Sequence, residues 1–287
     1  FRLIFVRPAN CKVRPESSGR LNMIGTTNAQ QAETAATPGN HFPWAGQPDE
    51  IACNFAFGLI MRNLPPRIAL ENKMHAPTLM AAAGAIAGVC AQISLLADAE
   101  RLAKARAENR IKETPLKDGR TLIYGDALNE MLYSVSDPEI ARSRVWNMMV
   151  TAAMQKGLDR NELPNVPAMF RHVNDSVGSV VEGLPSVAQN AQPVMPVRDL
   201  LKLVGPLTLE ALAGDLPPAL ATNGQAIRAN RKSWVGITAQ VAGNLLMTAS
   251  RVMPPAMCLT IAMESAIYAS KLSANVSQKA PEPAVQA

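Results

Sequence analysis

The chain has 287 residues, 48% hydrophobic, 18% charged and only 4% aromatic, with a net charge of +5. That length admits one large domain or two modest ones, and an apolar side built mainly of Ala, Leu, Met and Val favours packed helices over sheets. Arg2, Arg7, Lys12, Arg14 and Arg20 stand against Glu16 alone, so the leader accounts for most of the charge, the remainder is nearly neutral, and no nucleic-acid face is expected.

The four cysteines, Cys11, Cys53, Cys90 and Cys258, lie far apart with no C-x-x-C pair. This spacing excludes a zinc knuckle and a disulfide framework, and it suits a reducing, cytoplasmic setting.

In chain order, residues 1–45 read as a disordered basic and polar leader without periodic apolar spacing, loose as far as Pro48. It suits an extension ahead of Met23, a targeting segment or a flexible arm, and its apolar stretch LIFV is too short for a signal-peptide core. Asp49 is expected to cap a first helix, EIACNFAFGLIMRNL, that Pro65-Pro66 stops.

The next segment, APTLMAAAGAIAGVCAQISLLA, carries no formal charge. Pro77 starts it, and it is expected to continue unbroken through DAERLAKARAENRIKE, where Glu100 with Lys104 and Glu108 with Lys112 support a solvated helix face. A membrane span and a buried spine are the two readings. Only Leu, Ile, Phe and Val gain on insertion, by about 0.3 to 0.6 kcal/mol each, and Ala, Gly, Ser, Thr and Gln dominate here. The expectation is therefore a core helix and no span. Ala81, Gly84, Ala85 and Gly88 would let another helix approach closely, within this chain, in a second copy or in a protein partner.

Asp118-Gly119 marks a short hairpin. Asp137-Pro138 opens a helix that Gly157 closes, and further helices are expected at Pro167–Val177, Pro196–Ala213 and Pro217–Asn230. SWVGITAQVAGNLLMTAS and PAMCLTIAMESAIYASKL form two more, divided at Pro254-Pro255, before a loose tail at 273–287. The fold class is mainly all-α: one bundle of seven to nine helices over 46–272, with one hairpin and flexible ends.

The common catalytic and nucleotide-binding signatures are missing. His41 lies in the leader and His75 at a helix entrance, leaving His172 in an ordered element with Asp175 on the same helical face. That pair suits a metal ligand or a proton-transfer couple, or a structural histidine bonded to a carbonyl. A second group, Gly125, Asp126, Asn129 and Glu130, follows the hairpin, and Trp146 completes the candidate ligand-binding set. Asp126 and Glu130 can present two carboxylates to one metal or substrate, or Asp126 can simply cap a helix. No particular metal or cofactor is implied. Arg228, Arg231 and Lys232 beside Trp234 read as a solvated helix end. The leading functional reading is a structural or binding protein without catalysis. The alternatives are an enzyme or metal protein, with Asp126, His172 and Asp175 as catalytic residues, and a peripheral membrane protein.

Overall fold

The computed structural model describes residues 42–71, 73–133, 144–221 and 226–272, and among these it holds nine α-helices and one antiparallel hairpin. In order they are α1 (Glu50–Ile68), α2 (Ala76–Ala97), α3 (Ala99–Ala107), β1 (Lys112–Pro115), β2 (Thr121–Tyr124), α4 (Asp126–Leu132), α5 (Val145–Gln155), α6 (Val166–Ser176), α7 (Val197–Ala213), α8 (Trp234–Ala249) and α9 (Pro255–Lys271). The helical bundle with one hairpin is thus the observed architecture. The expected leader and tail, apart from residues 42–45, lie outside the described residues, as do Cys11, His41 and the Asp137-Pro138 helix start.

α2 is the hub, packed on α9, α8 and α7. It is long and apolar enough to cross a membrane, with a mean hydropathy of 1.9 over its most apolar window, but 89% of that window is buried inside the protein. Its closest partner is α9. Gly84 faces Ala262 and Gly88 faces Ala266, while Gln92 Nε2 donates to the carbonyls of Ser270 (2.7 Å) and Leu272 (2.9 Å). The rising numbers on both sides mean that the two helices run in the same direction. A Cβ at Gly84 would stand 2.7 Å from Ala262 C and 2.8 Å from its Cα, so hydrogen alone permits this approach. Gln92 supplies donors to carbonyls at the C-terminal end of α9, which the helix itself leaves without partners. Of the three partners the sequence admits for this small-residue face, the Gly84 and Gly88 positions meet the first, a helix of the same chain.

Several local expectations are corrected. α1 continues through Pro65 and Pro66 to Ile68. The carbonyls the prolines orphan are those of Met61 and Arg62, at a half-buried and an exposed position where water can serve them. Asp98 (φ −94°, ψ 90°) breaks the long second helix, and its side chain accepts from the Arg101 amide to start α3 anew. Asp is a poor interior residue but a favoured cap. Lys112 consequently opens β1, so only the Glu100–Lys104 pair lies on a helix. Pro217–Asn230 has no helix among its described residues, only a single turn in which Leu220 and Ala221 donate to the Pro217 carbonyl.

Residues 42–44, expected to be loose, are packed, while 45–48 are exposed. Trp44 is 1% exposed, its ring stacks on Phe42 at 4.8 Å, and its Nε1 donates to Asn54. Asp49 makes no side-chain cap on α1. Its Oδ2 accepts instead from the Asn230 amide (2.7 Å), Ser233 Oγ (3.1 Å) and Cys53 Sγ (3.3 Å), tying the start of α1 to the 3-10 turn Arg231–Ser233 ahead of α8. Burial, with Asp49 beside it, pushes the Cys53 thiol far up, so it stays protonated. Cys53, Cys90 and Cys258 are free and buried.

Other expectations hold. Gly157 (φ +89°) ends α5, its amide donating to Met154 O and that of Leu158 to Ala153 O, the paired bonds of a left-handed helix cap. β1 pairs with β2 around Asp118-Gly119, and Leu122 bridges to Leu272, stitching the hairpin to the end of α9.

Candidate functional site

The residues singled out in sequence fall into separate networks. Gly125, with φ +141°, is the cap position of α4, and a Cβ there would stand 2.7 Å from Arg110 C. The glycine makes room for backbone, because the Arg110 carbonyl already accepts from the Ala127 amide at 3.1 Å. Space expected for a ligand is filled by the chain itself. Asp126 is exposed, occupies the first helical position and makes no side-chain cap, so the capping expectation is also corrected. Glu130 pairs with Arg110 and lies 3.6 Å from Arg101. Asn129 is half-buried, its carbonyl accepting from Tyr133. Trp146 is 7% exposed and meets Tyr133 edge-on at 6.0 Å, inside the core.

His172 Nε2 is 3.0 Å from the Leu184 carbonyl, an acceptor, so this nitrogen carries the proton. Asp175 is exposed, and the carboxylate beside His172 is Glu264, 3.9 Å away. No hydrogen bond or ion pair among the described residues joins the His172 group to the Asp126 group. No cluster of three or more metal-ligating side chains occurs there either.

α9 carries a polar seam that sequence reasoning passed over. Glu264 is 2% exposed and accepts from Ser186 at both oxygens, the amide on Oε2 and the hydroxyl on Oε1, each at 2.5 Å. Burial raises its pKa against the lowering effect of those bonds. Ser, His and Glu thus meet, yet the wiring is not that of a hydrolase. The serine bonds the carboxylate directly, and the imidazole gives its proton to a carbonyl, so no base stands between nucleophile and acid. One and two turns on, Tyr268 OH donates to Glu182 (2.5 Å), and Lys271 Nζ donates to Asn174. Glu182 also takes Arg120 Nη2 (3.0 Å) and the Gly178 amide (2.8 Å), and hydrogen bonding from Arg120 above all holds its pKa down to about 2. Desolvation lowers Lys271 to about 8. The space beside Glu264 and Ser265 is about 10 Å³, enough for a water and nothing larger. The missed signal was the spacing 264, 268, 271, one helical face inside an apolar run.

A larger cavity, about 310 Å³, opens elsewhere. Its apolar wall comes from Pro43 and Trp44 before α1, Met131 of α4 and Val235 of α8. Arg101, Arg144 and Lys232 line it, with Asp98 the one carboxylate. Arg144 is 4% exposed, its Nη1 3.2 Å from Met131 Sδ. Lys232 Nζ is 3.3 Å from Asp98, whose pKa is lowered although desolvation works the other way, because the Arg101 amide and Lys232 outweigh it. Gln47, Ser94 and Ser233 complete the polar wall, and Gly236 leaves a gap: a Cβ there would meet only Pro43 Cβ, at 3.7 Å. Sequence reading gave Arg101 and Lys232 to solvated faces, because nothing local shows that α3 and the α8 entrance converge. No protein-family model, curated protein or solved structure matches the chain.

Proposed function

We propose that this protein binds a small molecule in the cavity between the segment before α1, the α2–α3 junction and the start of α8, without catalysing a reaction on it. The carrying observation is the cavity itself: about 310 Å³, at the lower edge of the ~300 to 1,000 Å³ typical of ligand sites, with mixed apolar and polar walls. The catalytic alternative at Asp126, His172 and Asp175 has less support, because Glu130 is engaged by arginine, His172 by a carbonyl, and Asp175 stands in solvent. A reducing, cytoplasmic location fits the free cysteines Cys53, Cys90 and Cys258.

Gly236→Leu tests this reading, since its side chain would grow into the cavity from a helix that tolerates it. Wild type and variant are screened by thermal shift with metabolite-sized compounds of either charge. At a hundredfold excess over Kd a true ligand raises the wild-type midpoint by about 5 °C or more. The variant, folded and at least as stable, should not respond. Compounds that move both proteins equally, or a panel that moves neither, would overturn the proposal.

A further inference from the structure

We infer that the ligand carries an oxyanion, a phosphate, sulfate or carboxylate on a small apolar body, an inference that rests on the cavity being a ligand site. Most of the hydrogen-bonding capacity in the cavity walls is already spent within the protein. The hydroxyl proton of Ser94 goes to the Arg231 carbonyl (2.8 Å) and that of Ser233 to Asp49 (3.1 Å). Asp98 already faces the Arg101 amide and Lys232. Arg101 differs from all of these. Its five N–H groups make no hydrogen bond among the described residues; its nearest carboxylate oxygen, on Glu130, is 3.6 Å away, and the other oxygen of Glu130 is taken by Arg110. Lys232 uses one of three donors on Asp98. Gln47 has a neutral amide that can donate or accept and so favours neither sign, whereas the charged groups left over are cationic N–H donors; their complement is an anionic acceptor, which a guanidinium binds with two parallel bonds. The start of α8 adds little, because Ser94 Oγ accepts the Val235 amide and Asn230 the Lys232 amide. Trp44, Met131 and Val235 are left to cover carbon, so a bare ion would waste half of the site.

The test titrates the full chain with phenyl phosphate, inorganic phosphate, benzyl alcohol and benzylamine at constant ionic strength, reading thermal shift and isothermal titration. Phenyl phosphate should bind wild type more tightly than inorganic phosphate, and the alcohol and the amine should not bind. Arg101→Gln and Lys232→Gln should each weaken it about tenfold with unchanged ligand-free midpoints, and Gly236→Leu should abolish it. If benzylamine or benzyl alcohol bound wild type and lost binding in Gly236→Leu, the cavity would stand as a ligand site and the oxyanion inference would fall. Absence of binding by all four probes would sink the inference. Phosphate binding that survived all three substitutions would also overturn it, since the anion would then sit elsewhere.

Discussion

Gly84→Ala adds a single methyl at the tightest point of the fold. Its Cβ would lie 2.7 and 2.8 Å from Ala262 C and Cα, against about 3.5 to 4.0 Å for comfortable carbon contact, so α2 and α9 must part by roughly 1 Å. The obstacle is main chain, which has no rotamer to escape into. Overpacking costs typically ~1 to 3 kcal/mol, and a gap of that size forfeits a quarter to a half of the dispersion energy of each neighbouring contact. Alanine returns about 1 kcal/mol of helix propensity. The net expectation is a loss of up to ~2 kcal/mol, a midpoint lower by as much as about 4 to 8 °C at this size. Gly58→Ala is the control, because Gly58 is exposed on α1 and a Cβ there meets nothing within 4 Å. It should gain stability. Both are followed by far-UV circular dichroism in urea and on heating, and two changes of the same sign would refute the close crossing.

Burying Lys271 lowers its pKa from 10.5 to about 8, so between those values the unfolded chain holds more protons and stability rises with pH, by up to ~3 kcal/mol in full. Urea midpoints of wild type should therefore gain on those of Lys271→Met from pH 8 to 10.5, and a flat difference would put the ammonium in water. Glu182 is the opposite case: its pKa of about 2, below the ordinary 4.5, stabilises the fold above pH 4.5 and is lost as pH falls towards 2. Glu182→Gln should cost about 1 to 2 kcal/mol at pH 7, discounted for solvent at its rim, and nearly nothing at pH 2; an equal cost at both would contradict the ion-pair account. With the apolar surface of α2 inside the fold, the expressed chain should stay in the ultracentrifuge supernatant without detergent, whereas recovery only from membranes would contradict the internal packing.

Helix identity was legible wherever propensity and breakers agree, as at Gly157 and Pro254-Pro255. It failed where one residue has two uses. Asp98 reads as one more charge in an amphipathic run, yet its side chain restarts a helix, and Asp49 reads as a local cap while it serves a turn 181 residues away. The closeness of Gly84 to another helix was legible; that the other helix is α9 was not, because small residues advertise contact without naming a partner. The neighbours of His172, Leu184 and Glu264, were not legible, because they are brought by a loop and by the seam of α9. Of the 310 Å³ cavity nothing was legible, since its walls come from segments that only tertiary packing assembles.

The parallel pairing of α2 with α9 has a consequence for synthesis. Gln92 meets the Ser270 carbonyl across 178 residues, and at ~5 to 20 residues per second α2 is made about 10 to 35 s before the helix that covers it. Throughout that interval a nascent chain displays an uncharged 22-residue segment that is long and apolar enough to cross a membrane, although its Ala, Gly and Ser gain little on insertion. The competition is kinetic: chaperone retention or early docking of α8, which also packs on α2, must hold the segment until α9 emerges. Slowing translation between α8 and α9 should raise the fraction lost to membranes or aggregates without changing the stability of the finished fold.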